Sequence, residues 1–118
     1  MAESGASKGD RGRGSEASAQ FWDTVEPLLA QTGVDEGTLM GFPCVRAGGE
    51  FVAMPHHETG DLVAKLHRDR VTELVESGAG EPFGPGGRVF KEWVLVPRSR
   101  ADQWASLIEE ARRFVAGS

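Results

Sequence analysis

One cysteine and two neighbouring histidines, Cys44, His56 and His57, are the side chains best suited to nucleophilic or metal chemistry. A catalytic cysteine needs a base within hydrogen-bond reach and a lowered thiol pKa. Adjacent residues of an extended segment point to opposite faces, so we expect at most one histidine to serve Cys44 directly. A metal site would need further ligands, for which Glu58 and Asp61 are nearest in sequence. We prefer the simpler interpretation of an exposed polar turn and a small buried cysteine, with no catalytic residues, metal or cofactor.

A glycine-rich segment over residues 84–88, Gly-Pro-Gly-Gly-Arg, could hold an anion through its backbone N–H groups. It lacks the Gly-Lys-Ser/Thr ending of a P-loop and does not open a helix. We therefore interpret it as a loop before a strand. The alternative function for the chain is a small-molecule-binding or cryptic enzymatic domain that uses this loop with Cys44, His56 and His57.

Basic residues recur at the ends of the later predicted elements. If the fold gathers them, they would contact the phosphates of a nucleic acid. Acidic residues such as Asp69 and Glu92 are interleaved with them, which favours a mixed, solvated surface instead. The candidate nucleic-acid-binding residues are Lys65, Arg68, Arg70, Arg88 and Lys91, with His67, Arg98 and Arg100 close to them in sequence.

Length, charge and cysteine count limit the class of protein. The 118 residues suffice for one ordinary domain. Residues 1–20 carry equal numbers of basic and acidic side chains, so the net charge of −5 belongs to the rest of the chain. Nucleic-acid-binding domains usually carry a basic excess, so this acidity slightly favours a protein partner. The single cysteine excludes an intramolecular disulfide, and no stretch is apolar enough for a membrane span. We expect a cytoplasmic protein without membrane contact.

Two segments divide the chain. Residues 1–17 are rich in glycine, serine and alanine, carry charges of both signs and lack apolar periodicity. Such a segment cannot bury enough apolar surface to offset its ordering entropy, so it predicts a disordered N-terminal tail. Residues 18–118 are predicted to form a single domain.

Apolar periodicity within the domain predicts the order α-βββ-α-β-α. This order is typical of an α+β fold with an antiparallel sheet of about four strands and helices packed on it. Gly48-Gly49 favours a tight primed hairpin turn, and Pro43 implies an edge strand or a bulge. Trp22, Trp93 and Trp104 are predicted core anchors. The predicted elements are a helix from Ser18 to a stop at Gly33, strands Leu39–Ala47, Glu50–Met54 and Asp61–Leu66, helix His67–Ser77, strand Val89–Val96 and a last helix that opens at Ser99 with Asp102 in a capping box.

Several short motifs in this domain resemble the TfoX N-terminal domain and the related YjbR (MmcQ-like) family. The first is Met40-Gly41-Phe42-Pro43, followed by the Gly48-Gly49 hairpin turn and a Phe51-Val52-Ala53 strand. The second is the Lys91-Glu92-Trp93-Val94 strand, followed by a closing helix over residues 104–115. The likeness covers about residues 20–116.

This resemblance implies an α+β fold and a regulatory or DNA-binding role without catalysis. At the hairpin, Gly49-Glu50 stands where the family commonly has Gly-Lys, so one cation expected to contact phosphate is missing. The leading hypothesis is a non-catalytic binding module that acts through a protein partner or weak DNA binding.

Overall fold

A computed structural model of the chain describes residues 16–84 and 88–117. The predicted tail, residues 1–17, lies outside this part except for its last two residues. The helices are α1 (Ala19–Leu29), α2 (Arg68–Glu76) and α3 (Trp104–Gly117), and short 3-10 helices cover Glu16–Ser18 and Arg98–Gln103. The strands are β1 (Val34–Leu39), β2 (Phe42–Ala47), β3 (Glu50–Pro55), β4 (Leu62–Lys65), β5 (Glu81–Pro82) and β6 (Trp93–Val96).

All six strands form one antiparallel sheet in the order β1-β2-β3-β4-β6-β5. The predicted α+β class and antiparallel pairing are confirmed. The sheet has six strands instead of about four, because the largely polar strand β1 and the short strand β5 carry no apolar alternation by which to predict them. Within the described ranges, no helix is both long enough and apolar enough to span a bilayer.

The first hairpin corrects the predicted strand Leu39–Ala47. Leu39, the first residue of the predicted strand, is the last residue of β1. Met40 and Gly41 form the turn to β2 with φ of 52° and 85°. Positive φ at both central residues is typical of a type I′ turn. This turn is not predicted from the sequence, because residues other than glycine, such as methionine, rarely adopt positive φ. The predicted Gly48-Gly49 turn is confirmed, with φ of 60° and 86°.

Pro43 lies in an inner strand, on the part of β2 that pairs with β1 alone. It stands opposite Thr38, and the pairing of β2 with β3 begins only at Val45. The register shifts between Val45 and Arg46, which leaves Val52 of β3 without an opposite residue. A bulge is therefore present, but it lies two residues beyond the proline. Pro43 needs no donor towards β3, so the missing N–H costs the sheet nothing.

The two faces of the sheet are covered differently. One side, the helix face, packs against α1, α2 and α3 and forms the larger core, which includes Trp22 and Trp104. The other side, the open face, carries no helix and holds a smaller cluster. Its buried members are Cys44, Phe51, Met54 and Val63, and Leu39, Phe83, Trp93 and Leu95 pack partly buried against them.

The strand predicted at Val89–Val96 is shorter in the structure and begins at Trp93. The Trp93 N–H donates to the Phe90 carbonyl at 3.1 Å, and the Phe90 N–H donates to the Phe83 carbonyl at 3.0 Å. These bonds make a turn of the segment before β6. Residues 89–92 are therefore a partly exposed segment that turns into β6, and Val89 is 65% exposed.

The predicted start of the last helix at Ser99 is also corrected. Residues Arg98–Gln103 form a 3-10 helix, and the α-helix begins at Trp104. No side-chain cap is formed by the residue preceding this 3-10 helix. Instead, the Arg98 N–H donates to Asp61 Oδ1 at 2.9 Å, so a carboxylate from the loop before β4 takes the place of the predicted capping box.

Candidate functional site

Cys44 lies on the open face of the sheet with none of its surface exposed. Burial raises the pKa of its thiol, and the nearby Arg46 guanidinium offsets this only in part. Arg46 itself is held by the backbone, because its Nη1 and Nη2 donate to the carbonyls of Gly49 and Thr38 at 2.8 and 2.6 Å. A buried, protonated thiol is a poor nucleophile. The cysteine is therefore better described as a core residue.

The two histidines do not point to opposite faces, so that expectation is wrong. Their rings stack on each other with centroids 5.0 Å apart, and His57 stacks on Phe42 at 4.5 Å. The reason is that the segment is a tight turn instead of an extended strand. The Gly60 N–H donates to the His56 carbonyl at 2.8 Å, and the His56 N–H donates to the Asp61 carbonyl at 2.7 Å.

Metal chemistry finds no support in residues 16–84 and 88–117, where no three His, Cys, Asp or Glu side chains are close enough to share an ion. The Glu58 N–H donates to His56 Nδ1 at 3.2 Å, so one imidazole nitrogen stabilises the turn. The predicted anion loop over residues 84–88 falls largely outside the described residues. Only its ends, Gly84 and Arg88, are described, and their backbones lie close together.

Three of the five predicted nucleic-acid-binding residues lie together in one groove. Lys65 ends β4, Arg68 begins α2, and Lys91 belongs to the turn before β6. The Leu66 N–H donates to the Glu92 carbonyl at 2.9 Å and holds the end of β4 against that turn. We call this the basic groove. It consists of two adjoining hollows of about 630 and 430 Å³ that share Arg68, Val89, Phe90, Lys91 and Trp93, with Lys65 at the rim of the smaller one.

The three cations of the basic groove form no ion pair or hydrogen bond with any described residue. Other basic residues are engaged: Arg112 and Arg113 both pair with Glu109. Acidic side chains are also present in the groove, from Asp69, Glu76 and Glu92. The groove is therefore of mixed charge, but its cations are free to meet a ligand.

Arg70, also predicted as a nucleic-acid contact, is not part of the basic groove. Its Nε donates to Glu110 at 2.9 Å, and its Nη1 donates to Glu73 at 3.1 Å. Burial lowers the pKa of Arg70, but these two carboxylates more than offset it, and the net direction is upward. The side chain joins α2 to α3 and has a structural role.

The remaining basic candidates are also outside the groove. Arg88 is exposed and does not line either hollow. The Arg98 Nη1 donates to the Thr59 carbonyl at 3.2 Å and Arg100 belongs to the 3-10 helix beyond β6. His67 caps α2, because its Nδ1 accepts from the Asp69 N–H at 3.1 Å.

Aromatic rings border the basic groove, and the charge pattern alone does not reveal them. Trp93 stacks on Phe51 with centroids 5.0 Å apart, and Phe90 meets Trp93 edge to face at 5.3 Å. Trp93 is only partly buried, so the expectation of three equivalent core anchors holds for Trp22 and Trp104 but not for it. The sequence signal for these rings was the run Val89-Phe90-Lys91, in which two large apolar residues and a lysine directly follow the glycine-rich loop.

Another hollow, the apolar groove, lies on the open face and has a volume of about 260 Å³. Met40 is 60% exposed and Phe42 is 37% exposed at its rim. Phe83 connects this groove to the basic groove, because its ring contacts both His56 and Trp93 at about 6 Å. The lining residues are Met40, Phe42, Met54, Pro55, His56, His57, Phe83 and Gly84.

Comparison of the chain with family models, curated proteins and solved structures gives no significant match. Functional inference for this protein therefore depends on the geometry of the two grooves.

Proposed function

We propose that this protein is a non-catalytic, TfoX/YjbR-like binding module whose basic groove binds nucleic acid weakly and in a salt-dependent manner. The observation that carries this proposal is the gathering of Lys65, Arg68 and Lys91, unpaired, around partly exposed aromatic rings. The chain has a net charge of −5, yet these three cations pair with none of the described acidic residues. A phosphate backbone can satisfy all three.

The charge balance predicts modest affinity. Three phosphate contacts give a slope of about −2 to −3 for the logarithm of the association constant against the logarithm of salt concentration. The acidic body and the carboxylates of Asp69, Glu76 and Glu92 repel the same ligand. Binding is thus expected to be detectable at low salt and to weaken steeply as salt is added, which fits an accessory or regulatory role.

A fluorescence anisotropy titration of the full chain with labelled single-stranded and duplex DNA tests this proposal. Binding should be measurable at about 50 mM salt and largely lost at about 200 mM. The triple substitution Lys65→Gln, Arg68→Gln, Lys91→Gln should abolish it. Arg100→Gln, which removes a cation that lies outside the groove and pairs with no described residue, is the matched control and should bind as the parent does. Absence of binding to either form at low salt refutes the proposal.

The apolar groove supports a protein partner as a second candidate function. Two large apolar side chains, Met40 and Phe42, are exposed there, and neither lysine nor arginine lines the hollow. Methionine adapts its shape to apolar partners, which suits a protein surface better than a phosphate. A photoreactive amino acid at position 40 should give a discrete protein adduct that Phe42→Glu abolishes. A probe at exposed position 23 should give none, and equal labelling from both positions would contradict this candidate.

Catalysis and small-molecule binding have less support. Cys44 is buried and protonated, and the histidines are stacked in a turn that one of them stabilises through its Nδ1. Cys44 and the two histidines therefore do not form an activated nucleophile with a base beside it, which supports the proposal of a binding function over the alternative.

A further inference from the structure

We infer that the basic groove selects unpaired, single-stranded nucleic acid over duplex. This inference rests on the proposed function, since it names the form of nucleic acid that the same groove takes. Its basis is the position of Phe90, which stands among the three free cations instead of in the core. The ring is partly exposed beside Val89, and both residues line the two hollows with Arg68 and Lys91.

A supported aromatic ring is the first requirement for base stacking. Phe90 meets the Trp93 ring at an interplanar angle of 79°, and Trp93 is in turn stacked on Phe51 of the neighbouring cluster. The backbone of Phe90 is fixed at both its N–H and its carbonyl, by bonds to Phe83 and Trp93. The ring is therefore held in place before any ligand arrives, and a base that stacks on it pays little ordering entropy on the protein side.

Unpaired bases can use this ring, whereas paired bases cannot. In a duplex both faces of each base are covered by its neighbours, so an aromatic side chain reaches them only by unstacking a step at a cost of a few kcal/mol. In a single strand every base offers a free face, and stacking on an aromatic side chain contributes without regard to sequence. The hollows, about 630 and 430 Å³, have the size of sites for small organic groups such as a nucleotide.

The cations line the groove together with the ring and come from three different elements. Lys65 comes from the end of β4, Arg68 from the first turn of α2, and Lys91 from the residue next to Phe90. This arrangement suits a flexible strand that places one base on the ring and bends its phosphates towards the cations. Asp69, Glu76 and Glu92 lie among them, so the site discriminates by stacking more than by charge.

The experiment compares one labelled single strand of about 12 nucleotides with its own duplex at about 50 mM salt. The full chain should bind the single strand more tightly than the duplex. Phe90→Ala should weaken single-strand binding by about 5- to 150-fold, as expected for the loss of one base stack. Phe90→Leu, which keeps apolar volume at the position, should show a similar loss while the far-ultraviolet circular dichroism spectrum stays unchanged.

Two further variants serve as controls. Phe114→Leu removes a partly buried ring of α3 that lines neither hollow of the basic groove, and it should leave binding unchanged. Glu92→Gln removes a negative charge from the groove and should tighten binding to both forms, a gain that misfolding cannot produce.

The outcomes separate this inference from the proposed function. Equal binding of both forms, or full binding by Phe90→Leu, would overturn the single-strand preference and leave nucleic-acid binding intact. A preference for duplex would overturn it as well. No binding to either form would instead refute the proposed function itself.

Discussion

The helix face and the open face of the sheet are built from the same strands but are closed by different means. On the helix face, the helices cover side chains such as Leu62 and Val94, which are wholly buried. On the open face, the neighbouring Val63 is equally buried, but under single aromatic side chains and not under a helix. The difference indicates that stability comes mainly from the helix face. The apolar groove lies on the open face, whereas the basic groove lies where α2 meets the sheet edge that carries β5.

The largest expected effect of a substitution is on the helix face. Leu62→Ala removes a fully buried side chain beneath the helices and leaves a cavity that rigid neighbours cannot close. We expect the free energy of unfolding to fall by about 2–5 kcal/mol, measured by urea denaturation. A loss below about 1 kcal/mol would show that the helices do not pack tightly on the sheet, and the comparison of the two faces would fail.

The free energy of unfolding at alkaline pH tests how the open face buries Cys44. Burial raises the pKa of this thiol, although Arg46 acts against the rise. The folded state then keeps its proton at pH values where the unfolded state has lost it. The stability that the thiol contributes is full below the ordinary cysteine pKa and is lost as the pH rises through the raised value. The unfolding free energy of the parent should therefore fall with rising pH relative to that of Cys44→Ala, and parallel curves would contradict this.

Reaction with a thiol reagent measures how well the side chains on the open face keep solvent and reagent away from the Cys44 thiol. Cys44 is 0% exposed, so an excess of reagent should modify it only after denaturation. Phe83→Ala should open the cluster and allow slow modification of the folded protein, because that ring packs against the buried residues around Cys44. Rapid modification of the unsubstituted native protein would show that the open face is not closed at all.

The smallest expected effect is at the rim of the apolar groove. Phe42 is 37% exposed, and its main ring contact is with His57, itself an exposed residue. Phe42→Ala should change the free energy of unfolding by about 0.5 kcal/mol or less, as for most surface substitutions. A cost close to that of Leu62→Ala would mean that this groove is part of the core.

Sequence patterns predicted the helices and turns whose formation depends on residues close together in sequence. The helical spacing of Phe21, Trp22 and Val25 and the Gly48-Gly49 turn both lead to elements found in the structure. Sequence patterns did not predict local structure that depends on an unfavourable backbone conformation or on a residue distant in sequence. The turn at Met40 needs a conformation that its side chain disfavours, and the start of the last helical segment is set by Asp61, far away in sequence.

The candidate site was predictable in part for the same reason. Lys65, Arg68 and Lys91 could be named from charge alone, but charge could not tell them from Arg70. That distinction depends on Glu110, which lies forty positions away on α3 and is brought near by packing. The aromatic component was missed because alternation around Val89 predicted a buried strand, whereas a turn leaves Phe90 partly exposed.

The bulge in β3 has a consequence for how this chain can change in length. Phe51 and Met54 face the open side although three positions separate them, and Val52 and Ala53 between them both belong to the helix-side core. Deleting one of these two middle residues would restore regular alternation and keep both outer side chains where they are. Deleting one residue within β4 would instead turn every later side chain of that strand to the opposite face of the sheet. The bulge is thus a point at which a one-residue gap can be absorbed by the sheet.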